Sequence, residues 1–102
     1  MKVINLKTEY LVNPLGIDIT RPTICWNIVG DDIKFQKAFE LFYKVDGGQE
    51  QKVSLETSST RYQFEKEFKS RNLVTWKVRI LNEENKWSDY SEEQFFSIGL
   101  LN

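Results

Sequence analysis

Large apolar side chains recur at every second position in several short segments of this chain. The clearest segment covers positions 74–81, in which apolar residues alternate with a mostly polar set. Successive side chains of a β-strand point to opposite faces, so this segment is predicted to place one face in a core and the other face outward. The inward residues are Val74, Trp76, Val78 and Ile80, and the outward residues are Thr75, Lys77, Arg79 and Leu81.

The same period of two predicts five further strands. They are expected at 3–10, 23–29, 38–45, around Tyr62 and Phe64, and at 94–98. A helix over 35–43 is the competing interpretation of one segment, because its Lys, Gln, Glu and Ala residues favour helices. The dense aromatic residues there, and the Gly47-Gly48 pair that follows, favour the strand. The predicted inward residues of the strands at 23–29 and 38–45 are Ile24, Trp26, Ile28, Phe39, Leu41, Tyr43 and Val45, with Phe42 on the opposite face.

Turn-forming residues separate the predicted strands. They are Asn13-Pro14 with Gly16, then Gly30-Asp31-Asp32, Asp46-Gly47-Gly48 and positions 82–86. Short strands at this regular spacing predict an all-β sandwich or barrel. The chain has 102 residues, of which 40% are apolar, and two independent cores would each be too small. Residues 1–102 are therefore predicted to form a single domain.

Charge and composition argue against several classes of function. The net charge of −1 lacks the basic surplus that nucleic-acid binding requires, and no apolar stretch is long enough for a membrane span. Cys25 is the single cysteine, which excludes an internal disulfide, and its place beside Trp26 in an apolar run predicts a buried, inert thiol. The N-terminus lacks the apolar region of a signal peptide, so a cytoplasmic location is expected, with secretion left open if Met1 is not the native start.

The sequence offers little for catalysis, cofactors or metals. It contains no histidine, the commonest general base and a frequent zinc ligand. Its paired carboxylates, at 31–32, 83–84 and 92–93, fall in predicted loops and are expected to be solvated surface charges rather than an acid–base pair. Gly47-Gly48 lacks the spacing and the following helix of a phosphate-binding loop. No catalytic, cofactor-binding or metal-binding residue is predicted.

One aromatic segment stands apart from the predicted core. Trp87-Ser88-Asp89-Tyr90-Ser91 resembles the Trp-Ser-x-Trp-Ser element of fibronectin type III domains. In those domains, as the resemblance implies, the aromatic rings interleave with cations of a neighbouring strand. Here Lys77 and Arg79 are predicted to face outward and to stack over Trp87 or Tyr90. The alternative is that Trp87 and Tyr90 form a surface for a sugar or for a protein partner.

A wider resemblance covers the whole chain. Positions 6–18, which include Asn-Pro-Leu-Gly-Ile-Asp at 13–18, resemble the opening of bacterial α-L-rhamnosidases. Pro22 and Trp26 match the proline and the tryptophan-bearing strand that follow in that family, and Gln-Lys-Ala-Phe at 36–39 is similar to its Gln-x-Ala-Tyr strand. Trp-Lys-Val-Arg at 76–79 and Phe-Ser-Ile-Gly-Leu-Leu at 96–101 complete the resemblance, whereas Tyr90 stands where the family more often has Trp.

The resemblance implies an N-terminal fibronectin type III-like, or immunoglobulin-like, domain: an antiparallel seven-stranded β-sandwich within a larger glycoside hydrolase. In that family a β-sandwich domain, an (α/α)₆ barrel and a C-terminal β domain follow. Carboxylates of the barrel hydrolyse terminal α-L-rhamnosyl residues with inversion. None of them corresponds to a residue of this chain, so the implied role is non-catalytic. The implied partners are neighbouring domains of the same polypeptide, and rhamnosides would be bound only through the parent enzyme.

The sequence is compatible with three functions. The first is the accessory module, in which Leu15, Ile17, Leu100 and Leu101 contact a neighbouring domain or else close the ends of the sandwich itself. The second is an independent carbohydrate-binding module that uses Trp87 and Tyr90. The third is a protein-interaction domain related to cytokine-receptor modules, which is suggested by the segment 87–91 alone and disfavoured by the single cysteine.

Overall fold

The computed structural model of the protein describes residues 1–101, so the predicted domain boundary at Asn102 lies outside the described residues. Residues 1–101 form seven strands and two antiparallel sheets, which confirms the predicted sandwich. One sheet has the order β1-β2-β5, and the other has the order β4-β3-β6-β7. The strands are β1 Lys2–Thr8, β2 Thr23–Val29, β3 Gln36–Val45, β4 Gln51–Leu55, β5 Arg61–Gln63, β6 Leu73–Asn82 and β7 Gln94–Ser97.

The predicted alternation is present in the longest strands. In β6 every second residue from Val74 to Asn82 is buried, because one face of the sheet packs on the core and the other faces outward. The segment that also suited a helix is strand β3, which pairs with β6 over nearly its whole length. Strand β4, at an edge of its sheet, was not predicted: none of its residues is fully buried, and Val53 alone of them packs against the core.

A continuous aromatic cluster fills the space between the sheets. Phe64 contacts Tyr43, Phe68 and Phe96 with ring centroids 5.2–5.8 Å apart, mostly in edge-to-face geometry. Trp26 packs against Phe39 at 5.1 Å. The buried apolar residues are Val3, Leu6, Ile24, Trp26, Ala38, Phe39, Leu41, Tyr43, Phe64, Phe68, Val74, Trp76, Val78, Ile80, Phe96 and Ile98.

The two buried tryptophans differ in their hydrogen bonds. Trp26 Nε1 donates to Gln36 Oε1 at 3.0 Å, and the amide of Gln36 donates in turn to the carbonyls of Thr57 and Ser59. This chain of bonds fixes the connection between β4 and β5 to the core. The Nε1 group of Trp76 has no acceptor among residues 1–101. A buried donor without a partner lowers the stability of the fold, so the N–H of Trp26 contributes to stability and the N–H of Trp76 does not.

Cys25 is half-buried, which corrects the prediction of a fully buried thiol. The reason is the strand period itself. Ile24 and Trp26 point into the core, so the residue between them must point to the outer face of the three-stranded sheet. Its partners across the sheet are Lys7 and Arg61.

Candidate functional site

Two serines hold the segment 87–91 against β6. Ser88 N donates to Ile80 O at 2.8 Å, and the hydroxyl of Ser88 accepts from Ile80 N at 3.0 Å. Ser91 repeats this arrangement two residues away on β6, with its backbone N–H donating to Val78 O and its hydroxyl accepting from Val78 N. The hydroxyls thus supply acceptors that a neighbouring strand would otherwise provide. Residues 87 and 90 are thereby placed over the outer face of the four-stranded sheet.

On that face the structure brings together the four residues of the predicted ladder. The guanidinium of Arg79 lies 4.4 Å from the ring centroid of Trp87 and 4.9 Å from that of Tyr90. The ammonium of Lys77 lies 4.7 Å from the ring of Tyr90. The order Trp87, Arg79, Tyr90, Lys77 alternates rings with cations, and Phe42 adds an edge-to-face contact to Tyr90 at 5.4 Å.

A buried carboxylate lies beneath this ladder. Glu40 on β3 is only 6% exposed, although it points to the outer face. Its Oε1 accepts from Arg79 Nε at 2.8 Å and also from Arg79 Nη2, while Lys52 Nζ lies 2.7 Å from Oε2. The hydrogen bond from Lys52 and the contact with Arg79 lower the pKa of Glu40 below its usual value, against the opposing effect of burial.

In two of the three carboxylate pairs, one residue makes a specific contact. Asp32 is exposed and binds the N-terminal amine, and Glu83 accepts from the backbone N–H of Lys34. Within residues 1–101, no cluster of three metal-ligating side chains exists. No helix in the described chain is long and apolar enough to cross a membrane.

The second group of predicted site residues lies where segment 13–17 runs beside β7. Ser97 N donates to Pro14 O at 3.1 Å, Gly16 N donates to the Ser97 hydroxyl at 2.8 Å, and Gly99 N donates to Ile17 O at 2.8 Å. Gly99 approaches so closely that an added Cβ would lie 3.0 Å from Gly16 O. Gly99 therefore permits a backbone contact that a larger residue would disturb, whereas Gly16 has space around it and adopts a φ of 70° that favours glycine.

The four predicted contact residues divide into two pairs. Ile17 and Leu101 pack against the core of this domain. Leu15 and Leu100 are each 70% exposed. Leu73 and Phe95, which alternation places on the outer face at the start of β6 and on β7, are also exposed and are diagonal neighbours in the sheet. We name Leu15, Leu73, Phe95 and Leu100 the terminal patch, because hydrogen bonds join all the segments that carry them.

Two parts of these sites were not predicted from the sequence. Glu40 and Lys52, which join the predicted ladder residue Arg79 at the base of the ladder, are the first part, and the only signal for them was that Glu40 occupies an outward position of a strand. Leu73 and Phe95 of the terminal patch are the second part, and the signal for Phe95 was its place beside Phe96, since adjacent strand residues face opposite ways and only one of them joins the core.

Comparison with known proteins gives the family. The family model described as "Rha78A-like, N-terminal immunoglobulin domain" matches residues 3–102. An α-L-rhamnosidase of Formosa agariphila is 30% identical over 101 residues, which cover 87% of this chain and 10% of that protein. In that protein the matching region is therefore a small part of a much longer polypeptide.

Solved structures share the fold over nearly the whole chain. The α-L-rhamnosidase from Dictyoglumus thermophilum superposes with a TM-score of 0.87 at 23% identity, covering 100% of this chain and 13% of that one. The α-L-rhamnosidase of Streptomyces avermitilis, solved with L-rhamnose, gives a TM-score of 0.79 at 21% identity and covers 96% of this chain and 10% of that one. With its sandwich fold and a family match across residues 3–102, this chain belongs to the Rha78A-like N-terminal immunoglobulin domain family.

Proposed function

We propose that this domain is a non-catalytic accessory module of an α-L-rhamnosidase-like glycoside hydrolase. It packs against a neighbouring domain of the same polypeptide through the terminal patch and holds that domain in position. The observation that carries the proposal is the exposure of Leu15 and Leu100, each at 70%, on backbone that is otherwise tightly hydrogen-bonded. Several large apolar side chains left exposed on backbone segments that hydrogen bonds join are a candidate interface.

The backbone around the patch supports this role. Ile17 N donates to Ser97 O at 2.9 Å and Arg71 N donates to Ile98 O at 3.0 Å, so the segments that carry Leu15 and Leu100 have little freedom. A rigid patch loses little conformational entropy when it is covered. Burial of one exposed leucine side chain contributes about 1.5–3 kcal/mol, which is enough for a few such residues to hold two linked domains together.

The test compares two double variants in two contexts. Leu15→Ser with Leu100→Ser removes the patch. Leu11→Ser with Val29→Ser is the matched control, because these residues are 54% and 46% exposed outside the patch. In the 102-residue chain alone, both double variants should leave the unfolding midpoint within about 2 °C of wild type. In the polypeptide encoded by the complete reading frame, only the patch variant should lower the midpoint, by several degrees.

Three outcomes would overturn the proposal. Equal effects of the two double variants in the complete polypeptide would show that the patch is not an interface. A reading frame that ends with this chain would remove the neighbouring domain. Release of 4-nitrophenol from 4-nitrophenyl α-L-rhamnoside by the purified 102-residue chain would show that the module is itself catalytic.

A further inference from the structure

A groove opens on the outer face of the four-stranded sheet, at the end of β6 that is remote from the terminal patch. It has a volume of about 310 Å³ and lies between Trp87 and the last residues of β4. Its floor is apolar, because Ala38 and Leu81 are paired directly across β3 and β6. Trp87 is held at one wall by its bridge to Leu81, and Ser54 and Leu55 form the opposite wall. The volume is at the lower limit for small-molecule sites.

The groove combines an aromatic wall with hydrogen-bonding groups. Trp87 is 40% exposed even though Arg79 covers part of the indole. Glu56 at the rim is exposed and forms no ion pair within the described part of the chain. A pyranose ring presents C–H groups that pack on an indole and hydroxyls that donate to a carboxylate. The lining of the groove matches both features of such a ligand.

Charge selects a neutral ligand over an anionic one. Arg79 and Lys52 are both engaged by the carboxylate of Glu40, and Lys37, which lines an adjoining pocket with Glu56, donates to Asn85 Oδ1 at 2.6 Å. Glu56 is therefore the carboxylate of the lining that forms no ion pair within residues 1–101. A uronic acid or a phosphorylated sugar would be repelled there, whereas the hydroxyls of a neutral sugar would be accepted. The apolar floor further favours a 6-deoxyhexose, because its methyl group needs no hydrogen-bond partner.

Tyr90 is unsuited to share this role. Lys77 and Arg79 both lie over its ring, at 4.7 and 4.9 Å, and the edge contact with Phe42 covers more of it. Its ring is therefore already used in the ladder. The proposed site therefore uses Trp87 without Tyr90, unlike the carbohydrate platform of Trp87 and Tyr90 considered from the sequence.

We propose that this groove binds one neutral 6-deoxyhexose unit of a saccharide, with Trp87 packing on the C–H face of the ring and Glu56 accepting its hydroxyls. Ser54 supplies a further hydroxyl at the wall. The inference does not depend on the packing role of the terminal patch, which lies at the other end of β6.

The test is a titration of the ¹⁵N-labelled 102-residue chain with methyl α-L-rhamnoside, followed by two-dimensional NMR. A shallow site for one sugar unit predicts a dissociation constant of millimolar order, so the ligand is added up to about 50 mM. We expect shifts of the Trp87 indole N–H and of the amides of Ala38, Leu55 and Leu81. The amides of Leu15 and Leu100 should stay unchanged.

Variants and a second ligand make the test specific. Glu56→Gln leaves the ladder intact and should weaken binding several-fold. Glu92→Gln is the matched control, because this exposed carboxylate lies outside the groove. Methyl β-D-glucuronide should bind more weakly than the rhamnoside. The proposal is overturned by an absence of shifts at the highest concentration, by shifts confined to other surfaces, by equal effects of the two variants, or by equal binding of the glucuronide.

Discussion

Replacing the buried carboxylate beneath the ladder by its amide, Glu40→Gln, tests whether charge holds this surface together. The amide has nearly the same shape, so the packing around residue 40 should persist. It carries no charge, however, and its nitrogen cannot accept a hydrogen bond. One of the two cations, Arg79 or Lys52, therefore loses its acceptor, and both lose their ion pair.

The expected loss follows from the exposure of the two partners. The Arg79 side chain is 29% exposed and binds Glu40 Oε1 through two nitrogens, so loss of its charge-assisted bonds should cost about 1.5–3 kcal/mol. The Lys52 side chain is 53% exposed, and solvent screening limits its contribution to about 0.2–1 kcal/mol. Because the amide still accepts one bond, we expect a total loss of about 2–3 kcal/mol near pH 7.

The pH dependence distinguishes a charge effect from a packing effect. The hydrogen bond from Lys52 and the contact with Arg79 lower the pKa of Glu40 in the folded protein. A lowered folded-state pKa stabilises the protein above the unfolded-state pKa, about 4.5, and this stabilisation is lost as the pH falls through the folded-state pKa. The stability gap between wild type and Glu40→Gln should therefore be at its full size well above the unfolded-state pKa of 4.5 and should narrow as the pH falls below that value.

The assay is urea unfolding of both proteins at a series of pH values, followed by far-ultraviolet circular dichroism. Glu56→Gln serves as the control, because Glu56 is exposed and forms no ion pair within residues 1–101, and its stability should stay within about 0.5 kcal/mol of wild type. A gap for Glu40→Gln that stays constant at every pH would refute the argument, since a lost packing contact does not titrate.

Two further predictions concern the core and the terminal patch. Trp26→Phe should destabilise the protein by about 1–3 kcal/mol more than Trp76→Phe, as measured by urea unfolding. Trp26→Phe leaves Gln36 Oε1 without its donor, whereas Trp76→Phe removes a buried N–H that has no partner. Similar losses of stability in the two variants would contradict this hydrogen-bond argument. Gly99→Ala should lower the thermal midpoint, because the new Cβ would lie 3.0 Å from Gly16 O, and an unchanged midpoint would mean that the two segments can separate freely.

The fold was predictable because each sheet buries one face on a single shared core. In β6 and β3 every second residue faces this core, so apolar residues alternate with others along both strands. The segment 35–43 shows this period of two, which favours a strand over a helix. Strand β4 was not found in this way, because Val53 is the only one of its residues that packs against the core. The prediction of a buried thiol was wrong because it rested on the apolar residues next to Cys25 in the sequence. In a strand these neighbours point to the other face of the sheet, so Cys25 is half-buried.

The ladder residues could be proposed from the sequence, but the groove beside them could not. Trp87 and Tyr90 follow a recognisable serine pattern, and Lys77 and Arg79 occupy the outward positions of a well-defined strand. The groove depends on which residues of β4 lie opposite β3, and that register came only with the structure, which pairs Glu40 with Ser54. The same register brings Lys52 to Glu40 and explains how an outward carboxylate becomes buried under long side chains.

The two proposed surfaces are separated along β6 by the length of the strand. Leu73 begins the strand at the terminal patch, and Leu81 lies in the floor of the groove eight residues later, roughly 26 Å away at the rise of a β-strand. A neighbouring domain that covers Leu15 and Leu100 can therefore leave Trp87 open to a saccharide. Between the two ends, Lys77 and Arg79 lie over the ring of Tyr90, so this section of the ladder separates the groove from the terminal patch.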